Sequence, residues 1–317
     1  MVTVAIAGAT GHIGKAILDV LKKNQAHKVI ALSRKAPNSH DTHTVVVDYN
    51  NIDSVADVLE SNGVHTVISA ILVKDAESSA SEIHLVRAAS KSRPTKRFVA
   101  SDYAAPIPEE KQFGRILARA GTAKELRQTD LEWTSIRVGQ ISDSFGIPHI
   151  KSYLPFRPLN VDVANKAAAI PGSGNDVIAY TYSFDMARFL VAALDLPKWD
   201  GDLFCYSDKV TLNEVVKLAE KITVIIVMLR HFQTGSKFDV AYDSVEKLQR
   251  GEMTELPAHV ESYSMLSKKI LQASFATYSL YAIDGLFDFP KENTLNAKFP
   301  EIKTTTIVDM LNLWKSK

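Results

Sequence analysis

The sequence predicts an α/β protein, a doubly wound parallel sheet followed by a smaller mixed α/β lobe. Three observations carry this expectation. An apolar run over residues 2–7 ends in Gly8, with Gly11 and Gly14 following at intervals of three. Strand-like and helix-like apolar patterns then alternate to about residue 138, the signature of a parallel sheet with crossover helices. At Gly139 the rhythm breaks, and prolines crowd the segment that follows.

Taken in order, residues 2–7 form a short buried strand, and the glycines turn the chain into a helix over 12–21 marked by Ile17, Leu18 and Leu21. Glycine is required where the chain turns, where backbone approaches a phosphate, and where helix presses on sheet. The first N–H groups and the dipole of such a helix suit a pyrophosphate. Gly8, Thr10, Gly11, His12, Ile13 and Gly14 are therefore the expected dinucleotide cradle. A glycine-rich turn without a ligand is the alternative. Thr10 either adds a hydroxyl there or serves the turn, and His12 contributes packing or backbone polarity.

Residues 29–32 form the second strand and run into Ser33, Arg34 and Lys35. An acid just past this strand accepts from both ribose hydroxyls of NAD, whereas a cation suits the 2′-phosphate of NADP. No carboxylate follows until Asp41, so the pair favours NADP over NAD; a solvated surface pair is the other reading. A third strand over 44–48 sets Asp48 and Tyr49 near the adenine. Ile52, Val55, Val58 and Leu59 mark a helix apolar on one side. A fourth strand over 65–70 brings Ser69 and Ala70 past the cofactor, and a helix spans 76–90. The fifth strand, 97–101, ends in Ser101, Asp102 and Tyr103, where open α/β sheets place active-site residues. Residues 109–126 read as helical, weakened by Gly114 and Gly121, and 133–138 as a sixth strand.

Beyond Gly139 a proline-rich loop is expected to cross the top of the sheet. It carries His149, Tyr153 and Arg157 as candidate substrate contacts. Short strands at 177–181 and 203–206 are expected to return to the main sheet. Ser183 caps a helix, and Thr211 with Glu214 has capping-box spacing. Helices are expected over 239–249 and 263–275, and in part over 304–314. The chain thus divides into a dinucleotide-binding domain over 1–153 and a substrate lobe over 154–317.

Composition narrows the partners. Among 317 residues, 37 basic and 36 acidic side chains leave a formal charge of +1, which gives no reason to expect nucleic acid or an anionic membrane surface. The longest apolar run, 222–229, is too short to span a bilayer. With one cysteine, Cys205, there is no internal disulfide or multi-cysteine metal site, and His40 and His43 lack further ligands at metal spacing, so no metal is expected. The expectation is a cytoplasmic monomer or homodimer acting on a small molecule.

Together, residues 4–14 (VAIAGATGHIG), 67–70 (VISA), 96–103 (KRFVASDY), 171–175 (PGSGN) and 185–188 (DMAR) resemble the NmrA-like family. These are atypical short-chain dehydrogenases that include the isoflavone and phenylcoumaran benzylic ether reductases. The resemblance runs to residues 300–309 and implies a Rossmann fold that binds NADP. It implies either reduction of a small aromatic or polyketide-like substrate, or dinucleotide sensing with a protein partner and no turnover. A redox-neutral isomerase or cyclase is a third reading.

Two departures bear on mechanism. Where the reductases carry PSEFG, this chain has ASDYA at 100–104, and the lysine of their following helix falls near Arg119. Arginine can hold a developing oxyanion, but its pKa makes it a poor proton donor. Lys124 belongs to the next turns and should point elsewhere. None of the ten tyrosines precedes a lysine by four positions. Arg119, Tyr103 and Ser101 are accordingly the expected catalytic groups. Asp102 holds turn amides or acts as a base, and Glu82 is helix surface or a loop tether. The second departure is 224–234 (VIIVMLRHFQT), which either extends a helix and buries Val227, Met228 and Phe232 or forms an exposed apolar patch.

Overall fold

The computed structural model describes residues 1–35, 43–230, 237–264 and 267–316. Asp41, His40 and Phe232 lie outside them. The strands are β1 (Thr3–Ala7), β2 (Lys28–Ser33), β3 (Thr44–Val46), β4 (Val64–Ser69), β5 (Arg97–Val99), β6 (Glu132–Arg137) and β7 (Gln140–Ile141). They continue with β8 (Val161–Asp162), β9 (Ala167–Pro171), β10 (Val177–Thr181), β11 (Asp202–Phe204), β12 (Asp208–Thr211) and β13 (Asp239–Asp243). The helices that matter below are α1 (His12–Asn24), α2 (Ile52–Ser61), α3 (Ala76–Lys91), α4 (Arg115–Leu126), α5 (Ser183–Ala193), α6 (Leu212–Arg230), α7 (Val245–Gln249) and α8 (Lys268–Ile283).

The chain forms two compact units. The first comprises Met1–Arg137, Met186–Cys205 and Thr294–Ile302, and the second Val138–Asp185, Tyr206–Asn293 and Lys303–Lys317. The first unit is therefore assembled from three stretches of chain, with a break at residue 137 and not at 153.

Seven parallel strands build the first unit in the order β11-β6-β5-β4-β1-β2-β3. The chain enters at β1, winds outward through β2 and β3, then restarts on the other side of β1 with β4. Loops leaving β1 and β4 diverge there, which opens the crevice where such sheets bind ligands. Residues Val4 to Ala7 of β1 are completely buried, as a central parallel strand requires. One apolar core joins Val55 and Leu59 of α2, Leu85, Val86 and Ala89 of α3 and Leu126 of α4 to Ala5, Ala7, Val67 and Phe98 of the sheet. Asn51 caps α2, and Asp75 with Ser78 forms a capping box on α3.

In the second unit, β12-β10-β7 and β13-β9-β8 form two three-stranded sheets. The strand at 177–181 thus corrects the expectation that it returns to the main sheet: it pairs with β7 in parallel and β12 antiparallel. Only Asp202–Phe204 joins the main sheet, on the edge of β6. The helix expected over 239–249 is instead β13, paired along its length with β9, followed by α7 capped by Ser244. Residues 109–126 are interrupted, with a 3₁₀ turn at Glu109–Lys111 and α4 beginning after Gly114. The helix expected from 263 begins at 268 as α8. The α6 helix runs on through Arg230, which gives the backbone course of the first half of the 224–234 segment. Among the described residues, no helix is long and apolar enough to cross a membrane.

One buried side chain fixes the edge strand. Arg97 donates from Nε to Glu132 Oε2 at 2.6 Å, from Nη1 to the Leu194 carbonyl at 3.1 Å and from Nη2 to the Pro197 carbonyl at 2.9 Å, and its guanidinium lies 4.7 Å from the Trp199 ring centre. It thereby ties the chain between α5 and β11 to β5 and β6. Removing it leaves two carbonyls and a carboxylate without their donor. Arg97→Ala should lower the urea unfolding free energy by about 2–3 kcal/mol with the slope unchanged. A loss below about 0.5 kcal/mol, the range of ordinary surface substitutions, would contradict this role.

Candidate functional site

The carboxyl ends of β1 and β4 come together through backbone alone. Gly8 has φ of 77°, and a Cβ there would lie 2.4 Å from the Ala70 carbonyl oxygen. A Cβ on Gly14 would lie 2.2 Å from the Gly8 carbonyl oxygen, so α1 seats against the turn only because position 14 has no side chain. The turn closes with the Gly11 N–H donating to the Gly8 carbonyl at 2.9 Å. Gly11, the N-cap of α1, offers no side-chain cap, and no acid stands in the first helical turn. Thr10, Gly11 and His12 are exposed and Ile13 is half-buried. This helix start suits an anion, with its dipole and N–H groups facing outward over a floor of bare backbone. It fits the diphosphate of a dinucleotide.

At the end of β2, Arg34 and Lys35 are exposed, and Ser33 Oγ accepts the Lys35 N–H at 3.1 Å. Asp48 is exposed and holds the Asn50 N–H at 2.9 Å. Tyr49 is not offered to an adenine. It is 6% exposed within the core, its hydroxyl directed at the Leu32 carbonyl at 3.4 Å. Burial pushes its phenol well above the ordinary value, partly offset by the nearby Arg34 charge. Ser69 is fully buried, and Ala70 donates its N–H to the Ala7 carbonyl at 2.8 Å.

The end of β5 is more heavily bonded than its sequence suggests. Ser101 Oγ donates to the Ile71 carbonyl at 2.7 Å, and Tyr103 donates its hydroxyl to the Ser69 carbonyl at 2.8 Å. Both hydroxyls therefore brace β5 to the end of β4. Burial, and then the nearby Glu82 carboxyl, raise the Tyr103 phenol far above its usual value, so it holds its proton. Asp102 does not hold turn amides with its side chain. Its carboxylate accepts from Arg119 Nη1 at 3.3 Å and from Arg137 Nη1, while Arg137 Nε donates to Asp202 at 2.6 Å. Two guanidiniums and two carboxylates alternate there. Arg119 faces this cluster from α4, on the side of that helix that carries the buried Leu126, while Lys124 is exposed.

Glu82 is buried, at 1% exposure, and not on a helix surface. It accepts the Ser101 N–H at 2.7 Å and the Thr122 hydroxyl at 2.9 Å, and so tethers α3, the β5 end and α4 to one another. Arg137 and Asp202 were missed by sequence reasoning. Strand alternation puts Trp133, Ser135 and Arg137 on one face of β6, a polar stripe that could have flagged Arg137; nothing local flags Asp202.

The proline-rich loop belongs to the second unit. His149 stacks edge-on against Trp314 with ring centres 4.7 Å apart, and Tyr153 lies 5.9 Å from Phe184 with Lys151 above both rings. Arg157 is half-buried. Among the described residues no group of three or more His, Cys, Asp or Glu could hold a metal ion.

A family profile described as NAD(P)H-binding matches residues 8–154. The chain is 31% identical over 339 aligned positions to oxidoreductase swnN of Metarhizium robertsii, covering 98% of this chain and 96% of that one. Among solved structures it is similar to the leucoanthocyanidin reductase–NADPH complex from Vitis vinifera, with a TM-score of 0.71 at 16% identity over 99% of this chain and 100% of that one. It is also similar to an isoflavone reductase, with a TM-score of 0.69 at 17% identity over 98% and 99% of the two chains. At these identities the two structures show the fold.

The Glu82 tether has a measurable signature. Burial raises its carboxyl above the ordinary 4.5, against the Ser101 N–H, the Thr122 hydroxyl and the Arg119 charge. The native state then keeps this proton to higher pH than the unfolded chain does. The resulting stabilisation is complete below about pH 4.5 and is lost as pH rises through the raised native value. Glu82→Gln keeps an acceptor for Ser101 but has no proton to lose. Its urea unfolding free energy should gain on the wild type as pH rises from about 4.5 to about 7.5. A difference that stays constant with pH would contradict the assignment.

Proposed function

Because the chain belongs to the NAD(P)H-binding oxidoreductases its motifs resemble, we propose that it is an NADPH-dependent reductase of a small, partly apolar carbonyl, enone or aromatic compound. The observation that carries this reading is the Arg119–Asp102–Arg137 cluster at the end of β5, two strands from the glycine cradle in the same sheet. The cofactor, when bound, supplies a hydride to an electrophilic carbon. What the protein must add is a cation held where the substrate oxygen turns negative.

Arg119 meets that need. Asp102 fixes its guanidinium from one side, and its Nε lies buried without an acceptor among the described residues. A fixed guanidinium in a partly buried site stabilises a developing oxyanion without reorganising. Tyr103 and Ser101 hold the β4 and β5 ends in register beneath it, and the proton for the product oxygen comes from solvent. The names of the related proteins, an oxidoreductase and two reductases, support reductive chemistry. The leucoanthocyanidin and isoflavone in two of those names support an aromatic substrate.

A preference for NADPH is supported by Arg34, an exposed cation just past β2, the strand end at which this fold meets the adenosine ribose. Arg34→Ala should weaken NADPH binding about tenfold in calorimetry and leave NADH binding unchanged. Equal losses for both would remove Arg34 from phosphate recognition. NADPH oxidation assayed with quinones, enones and aromatic carbonyls should reveal turnover, and Arg119→Ala should lower kcat/KM about a hundredfold with NADPH affinity intact. Tight NADPH binding with no oxidation by any of these compounds would favour a dinucleotide sensor instead.

A further inference from the structure

On the face of the sheet covered by α4, a cavity of about 270 Å³ lies between α4 and the strands β5, β6 and β11. Three arginines line it, Arg119, Arg127 and Arg137, together with Trp133 and the small residues Ala100 and Ala123. None of the cradle residues lines it, and neither does Arg34.

The acids on this wall already have partners. Asp102 is bonded by Arg119 and Arg137, Asp202 by Arg137, and Glu82 by the Ser101 N–H and Thr122. What remains open is on the donor side. Arg119 Nε is buried with no hydrogen-bond partner, and the Arg127 guanidinium makes no ion pair or side-chain hydrogen bond among the described residues. A cation would find three guanidiniums around it. An anion with a planar acceptor pair would find one unpartnered donor, Arg119 Nε, and an exposed guanidinium, Arg127, and guanidinium forks match carboxylates in shape as well as charge. The volume falls just below the range of about 300–1,000 Å³ typical of drug-sized ligands, and a lining that includes Trp133 and two alanines suits a flat apolar body.

We propose that this cavity binds a single-ring organic carboxylate, the acid group between Arg127 and Arg119 Nε and the ring against Trp133. The site is separate from the dinucleotide cradle, and both can be filled at once. The inference stands without the redox reading, because its test requires binding and no turnover.

Benzoate is the probe, with benzamide as its uncharged counterpart of the same shape. Calorimetry on the full-length protein should show saturable benzoate binding and much weaker benzamide binding. Arg127→Gln, at an exposed position, should weaken benzoate about tenfold or more, the loss expected for a charge-assisted hydrogen bond. Lys124→Gln removes the same charge from the same helix but lies off the cavity wall, and it should change benzoate affinity less than about twofold. Unchanged NADPH binding by each variant verifies its fold. No benzoate heat in the wild type, equal binding of benzamide, or equal losses from the two variants would overturn the proposal.

Discussion

The structure depends on an approach of backbone to backbone. Gly8, Gly14 and Ala70 meet at distances that leave no room for a methyl group on either glycine. Because they meet, the turn after β1 lies directly on the end of β4, and α1 begins with its N–H groups at the switch point of the sheet. The strand order makes this the one place where neighbouring loops part in opposite directions. A diphosphate laid there meets helix dipole and peptide N–H before any side chain. The cradle of this unit is therefore built by main-chain geometry, with Arg34 exposed at the end of β2 beside it.

At the end of β5 the logic is reversed, and side chains do the organising. Asp102 stands between two arginines, and Arg137 reaches on to Asp202 at the sheet edge. Partly buried ion pairs of this kind add little net stability once desolvation is counted, but they hold charged groups in fixed directions. The hydroxyls that look chemically active in the sequence, Ser101 and Tyr103, are bonded to backbone carbonyls of the neighbouring strand end. Glu82 does the same work from below. Arg119 carries the donor of this cluster, its Nε, that is buried without a hydrogen-bond partner among the described residues.

The parts of this arrangement legible in the sequence are those written in local pattern. The glycine spacing, the alternating strands and helices through residue 137, and the capping box of Thr211 with Glu214 depend on residues within a turn or two of one another. What escaped depends on partners far along the chain. Residues 177–181 read correctly as a strand, yet nothing in them says that β7 and β12 are their neighbours and not the main sheet. Residues 239–243 looked helical because their pairing with β9 lies some seventy positions away. Glu82 carries a charge on a helix, which ordinarily means solvent, and only its packing under Ser101 and Thr122 makes it internal. Tyr49 sits where an adenine contact is expected but folds back into the core. Sequence reasoning placed Arg119 by resemblance, and its bond to Asp102 could not be read from spacing.

The most direct measurement of the central claim is calorimetric NADPH binding by Gly14→Ala beside the wild type, with unfolding curves for both. If bare backbone at the switch point holds the dinucleotide, the single added methyl should abolish measurable binding while the sheet still unfolds cooperatively. NADPH affinity unchanged by that methyl would contradict the account.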